Sequence, residues 1–149
     1  MFDNSLLTQL TEQAIHDGVQ QFAVGAVVQK DNKVLILRRL PDDFMGGVYE
    51  LPSGKVEADE PIDKALIREV KEETGLDVVS IRRYINSFDY MSRSGKKSRQ
   101  FNFAVAVSNS DKIILEEHDL YEWVALTGEV PVTEAVKEVL KKFQEAASN

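Results

Sequence analysis

Glu69, Glu72 and Glu73 stand at positions i, i+3 and i+4, a spacing that on a helix sets three carboxylates on one surface. Such a cluster is unfavourable for stability. Like charges four residues apart cost about 0.2–0.5 kcal/mol, and these lie just before Gly75, where a helix would end and its dipole favours cations. A divalent cation reverses both effects, because Mg²⁺ binds through carboxylate oxygens and bridges to substrate phosphates. The bland alternative is a solvated face, since glutamate is a good helix former and Arg68 lies four residues before Glu72. The chain has no cysteine, so disulfides and thiolate sites are excluded and any metal must be held by oxygen or imidazole.

The surrounding residues carry a wider pattern. Gly54 is followed after five residues by Glu60, then after seven by Arg68-Glu69-Val70, Glu72-Glu73 and Gly75-Leu76. Over these 23 residues the chain resembles the Nudix box at every specified position. The resemblance implies an α/β fold, a Nudix-type α/β/α sandwich with a mixed β-sheet. It also implies hydrolysis of a diphosphate bond in a nucleoside triphosphate or nucleoside diphosphate derivative, with Mg²⁺ as cofactor and Mn²⁺ as a substitute. Arg38-Arg39 and Tyr49-Glu50-Leu51-Pro52 look like the strand and loop that precede the box in MutT-type members.

By the same resemblance Glu69, Glu72 and Glu73 supply metal ligands, the Ser53 carbonyl supplies a backbone oxygen, and Glu117 completes the site. Glu69 is the first choice of general base, with Glu73 or a downstream glutamate as alternatives. Arg68 is expected to orient a box glutamate, because a guanidinium fork can fix a carboxylate rotamer. Glu60 is expected to begin the helix and to meet its exposed N–H groups. Arg39 would face the nucleotide, and Thr133 is the nearest equivalent to an asparagine that contacts the base in oxidised-guanine-specific relatives. Two departures bear on this: Ser53 stands where many members have glycine, and the proline expected shortly after the box in ADP-ribose hydrolases is absent.

Phe88, Tyr90, Phe101 and Phe103 are candidates for an aromatic wall against a base, with core packing as the competing role. Alternation separates strand faces without saying which is inward. His16 and His118 lack metal-ligand spacing and read as surface or packing residues. Trp123 favours the core and Met45 a loop contact. Lys96, Lys97 and Arg99 suit a solvated hairpin tip, with phosphate contact as the alternative.

Several elements must position these groups. Apolar residues at helical spacing predict an N-terminal helix over 5–17, a helix from Pro61 to Thr74 and a final helix containing Val132 to Phe143. Phe22–Val28 and Lys33–Arg39 read as strands around the turn pair Asp31-Asn32. Leu76–Tyr90 and Ser98–Ser108 read as a second hairpin, with a shorter strand over 120–126. Pro41 to Lys55 reads as mainly loop around a short segment at 48–51.

A length of 149 residues and 43% apolar content fit one domain, 1–149, with 1–18 as a helical extension. The net charge of -7 argues against nucleic-acid or membrane-surface binding, while allowing a phosphate substrate if cations intervene. The first residues show neither a signal-peptide pattern nor a membrane-spanning run, so a cytoplasmic protein is expected. The N-terminal helix could cover a sheet edge or pair with another subunit in a homodimer. A noncatalytic nucleotide-sensing domain is the competing function, and a purely structural acidic helix explains the spacing poorly.

Overall fold

The computed structural model describes residues 4–40, 47–108, 112–115, 118–126 and 130–147. Alternating apolar side chains in the first hairpin generate both faces of the central sheet. Strands β1 (Gln21–Lys30) and β2 (Lys33–Arg39) meet at Gln29↔Val34 and Lys30↔Lys33, with Asp31 at φ 56° in the turn. Val24, Ala26, Val28, Leu35 and Leu37 enter one buried cluster; Val27, Val34 and Ile36 enter the other. The period of two along a strand explains the division.

The segment expected to be loop contains two short strands, β3 (Tyr49–Glu50) and β4 (Ser53–Lys55). β3 pairs with β2, and β4 pairs antiparallel with β1 through Gly25↔Ser53 and Val24↔Gly54. Pairing of β3 with β2 and of β4 with β1 ties this glycine-bearing stretch to the sheet despite its weak strand propensity. Helix α2 (Ile62–Thr74) follows, and Gly75 closes it at φ 77° with its N–H donating to the Lys71 carbonyl. Such left-handed closure suits glycine. Ile62, Ala65, Leu66 and Val70 form the buried stripe of α2.

The long hairpin β5 (Asp77–Met91) and β6 (Lys97–Ser108) pairs antiparallel, and β6 also runs parallel to β1. The sheet is therefore mixed. Strand β7 (His118–Ala125) pairs with β2, and seven strands join one sheet. The N-terminal helix α1 (Asn4–His16) buries Ala14 in the cluster beneath α2, while α3 (Glu134–Ala147) buries Val136, Val139, Leu140 and Phe143 on the opposite face. Helices thus cover both sheet faces, as the α/β/α expectation requires. Among the described residues, no helix is long and apolar enough to cross a membrane.

Lys97 and Arg99 serve to fasten α1. Lys97 Nζ donates to the Asp17 carbonyl at 2.7 Å, and Arg99 contacts Asp17 at 3.0 Å and Asp89 at 2.6 and 2.9 Å. The Arg99 guanidinium holds the Asp17 and Asp89 carboxyls below the ordinary range.

Candidate active site

The three acidic side chains reach the site from α2, and Arg68 controls two of them. Its Nη1 donates to Glu69 Oε1 at 2.7 Å and to Glu72 Oε2 at 3.1 Å. The rest of the fork is anchored elsewhere: Nε and Nη2 grip both oxygens of Glu60 at 2.8 and 2.9 Å, and Nη2 also reaches the Lys55 carbonyl. Glu60 lies before α2 and does not cap it; the N-cap is Pro61, without a side-chain cap. The guanidinium competes successfully for that carboxylate because a bidentate charge-assisted pair exceeds a single N–H contact. Arg68 holds the Glu60 carboxyl down at about 2.

The strand before α2 completes the arrangement. The Ser53 backbone N–H donates to Glu73 Oε1 at 2.7 Å, and Glu73 is buried. Ser53 lies in extended β4 rather than at a positive φ, so the side chain that replaces the familiar glycine fits the backbone. At Gly54, an added Cβ would overlap the Glu69 carboxylate. The absence of a side chain there is a spatial requirement of the acidic site.

A divalent cation fits the donor chemistry, since the available groups are hard carboxylate oxygens and the missing side chain at Gly54 leaves room for the Glu69 carboxylate. Among the described residues, no three acidic or imidazole groups converge into a ligand shell. Arg68 engages Glu69 and Glu72, while the Ser53 amide engages Glu73. Glu117, the further expected ligand, lies outside the described residues, as do Glu116 and Met45.

These glutamates border a cavity of about 770 Å³ that also touches Arg39, Phe88, Tyr90 and Thr133. The Phe88 and Tyr90 rings are 6.2 Å apart with a 54° tilt. Thr133 has a second role at the start of α3, where its Oγ1 accepts the Val136 N–H at 3.3 Å. Phe101 corrects the aromatic-wall expectation: it is 1% exposed and packs edge-on against Phe22 in the cluster below α2. Phe103 is buried in the same cluster. Strand alternation turns both rings away from the face that carries Gln100 and Asn102.

Two functional candidates escaped the sequence reading. Glu50 Oε1 accepts from Arg39 Nε at 3.0 Å, while its Oε2 meets His118 Nε2 at 2.7 Å. His118 is buried in the cavity wall, which settles the expected alternatives on packing rather than surface. The signal lay in Arg39, Glu50 and His118 belonging to three adjacent strands, but only the β2 pairings with β3 and β7 bring them together. Gln100 is the other missed residue; it faces the cavity from β6, opposite Phe88.

The NUDIX domain family model matches residues 19–145. An ADP-ribose pyrophosphatase from Methanocaldococcus jannaschii is 46% identical over 54 residues, covering 36% of this chain and 31% of that protein. An 8-oxo-dGTP diphosphatase from Proteus vulgaris is 45% identical over 56 residues, covering 38% and 50%, respectively. The chain thus spans between about a third and a half of the length of these curated relatives. The crystal structure of a MutT protein from Methanosarcina mazei Go1 superposes with TM-score 0.74 at 26% identity, over 89% of this chain and 99% of the other.

Proposed function

We propose that this chain, which belongs to the NUDIX domain family, is a Mg²⁺-dependent pyrophosphohydrolase that cleaves a diphosphate bond in a nucleoside triphosphate or nucleoside diphosphate derivative. The observation that carries this reading is the joint organisation of Glu69, Glu72 and Glu73 by Arg68, Gly54 and the Ser53 amide at the edge of a nucleotide-sized cavity. Family membership supports a divalent-metal hydrolase, and Mg²⁺ suits oxygen donors alongside phosphate.

Bound at the glutamates and the Ser53 carbonyl, with Glu117 as a further ligand, Mg²⁺ would polarise a phosphoryl oxygen and acidify the attacking water. Glu69 accepts the water's proton, while Arg68 holds its carboxylate in place. Glu73 is kept oriented by the Ser53 N–H. Arg39 offers charge to the phosphates, and Phe88 and Tyr90 offer ring faces to the base. Thr133 borders the same cavity from the start of α3.

The test is a hydrolysis screen with Mg²⁺ or Mn²⁺ over canonical and oxidised nucleoside triphosphates, nucleotide sugars, dinucleoside polyphosphates and ADP-ribose, with phosphate and pyrophosphate products separated. Metal-dependent turnover of at least one class is expected, abolished by chelation. Glu73→Gln should lower kcat by at least about a hundredfold while preserving the fold. Nucleotide binding without turnover throughout the panel would replace this reading with a nucleotide-sensing domain.

A further inference from the structure

The face of β6 nearest Phe88 is polar where packing alone would favour apolar residues. Ser98, Gln100 and Asn102 occupy alternate positions there, paired respectively with Tyr90, Phe88 and Asn86 of β5. All three are buried, and Gln100 retains 9% exposure at the cavity. Buried amides are costly unless hydrogen-bonded, and these form a directed chain. Gln100 Nε2 donates to Asn102 Oδ1 at 2.8 Å, and Asn102 Nδ2 donates to Asn86 Oδ1 at 3.2 Å.

The neighbouring strand makes room for that chain. Gly25 pairs with Asn102 across the parallel β1–β6 ladder, and an added Cβ at Gly25 would overlap Asn102 Oδ1 and Gln100 Nε2. A polar row with a glycine-made recess holds the outer amide in one orientation. Because its nitrogen points inward to Asn102, the Gln100 Oε1 acceptor remains for a ligand; no protein hydrogen bond engages it among the described residues.

We propose that Gln100 is a specificity-determining residue that reads the edge of the substrate nucleobase, with Phe88 and Tyr90 against the base face. Its acceptor favours adenine or cytosine over hypoxanthine or uracil, the bases that carry a carbonyl in place of the same exocyclic amino group. An amide side chain reads such an edge in nucleic-acid recognition for the same donor–acceptor reason. A carbonyl at that place would set two acceptors against one another. The inference rests on the nucleotide reading of the site, and it adds the class of base.

Equilibrium dissociation constants for AMP against IMP and for CMP against UMP test it without requiring turnover. The wild-type protein should favour the amino member of at least one pair by about five- to a hundredfold. Gln100→Leu should bring that ratio to within about twofold, whereas Gln100→Glu, which retains an acceptor, should preserve the preference even as overall affinity changes. Gln100→Met carries the same test if Gln100→Leu fails to fold.

Equal wild-type affinities within both pairs, or an unchanged ratio in the apolar variants, would overturn the proposal. Hydrolysis of nucleotides without amino preference would remove this inference and leave the hydrolase reading standing. Gln100-dependent preference without hydrolysis would do the reverse. Failure to bind any of the four nucleotides would overturn this proposal, while turnover in the substrate panel decides the hydrolase reading separately.

Discussion

The Gly54 backbone lies so close to the Glu69 carboxylate that a Cβ on Gly54 would occupy the carboxylate's position. The atoms met are the far end of a side chain, so the clash can be relieved by moving Glu69 rather than by unfolding β4. Gly54→Ala should therefore lower kcat by about tenfold to a hundredfold through misplacement of an acidic group. The thermal midpoint should change by only a few degrees. Steady-state kinetics beside a melting curve separates the two effects, and an alanine variant with wild-type kcat would disprove the spatial requirement.

Arg68 distributes its donors between an anchor, Glu60, and two working carboxylates, Glu69 and Glu72. A lysine at this position keeps the charge but cannot hold Glu60 bidentately while also contacting Glu69 and the Lys55 carbonyl. Arg68→Lys should lower kcat by about 10- to 100-fold, the usual scale for losing an outer partner of a metal ligand. Stability should fall by about 1–2 kcal/mol from the lost charge-assisted bonds. Retention of more than half the wild-type kcat would mean that the glutamates orient themselves.

The Glu60–Arg68 pair also fixes a pH dependence. The Glu60 carboxyl is lowered from 4.5 to about 2, chiefly by hydrogen bonds from Arg68. A depressed carboxyl stabilises the folded state above its unfolded pKa, and that contribution fades as pH falls from about 4.5 towards 2. Urea unfolding of wild type and Glu60→Gln should show a stability gap that is constant above about pH 5 and narrows below it. A gap independent of pH down to 2.5 would show that ionised Glu60 contributes nothing special.

Local sequence carried much of this architecture. Periodicity places α2, because Ile62, Ala65, Leu66 and Val70 lie on one stripe and Gly75 closes the helix. The box spacing places its acids on that helix. Strand register was not legible in the same way: Phe101 and Gln100 are adjacent in sequence, yet the sheet sends one into the core and the other to the cavity. Only the pairing of Phe88 with Gln100 decides which face is which. The Arg39–Glu50–His118 contacts were hidden for a related reason, since three strands must assemble before these residues meet. Glu60 was misjudged because helix-end chemistry predicted a cap, while a more distant guanidinium supplied the stronger partner.

Glu50 stands between Arg39 and His118, receiving Arg39 Nε on one oxygen and meeting His118 Nε2 on the other. Its charge holds Arg39 at the cavity rim, whereas its contact with the buried imidazole fixes the carboxylate itself. Glu50→Gln keeps the size of the side chain but removes the ion pair to Arg39. If Arg39 contributes to binding substrate rather than to the chemical step, KM should rise about three- to tenfold while kcat stays within about twofold. His118→Leu probes the other contact. Among the described residues His118 Nδ1 is buried without a hydrogen-bond partner. Replacing the imidazole by an apolar group therefore removes an unsatisfied atom, which offsets the loss of the Glu50 Oε2 contact, and stability should change by less than about 1 kcal/mol. A large kcat loss in Glu50→Gln with KM unchanged would instead place Glu50 in the chemical step.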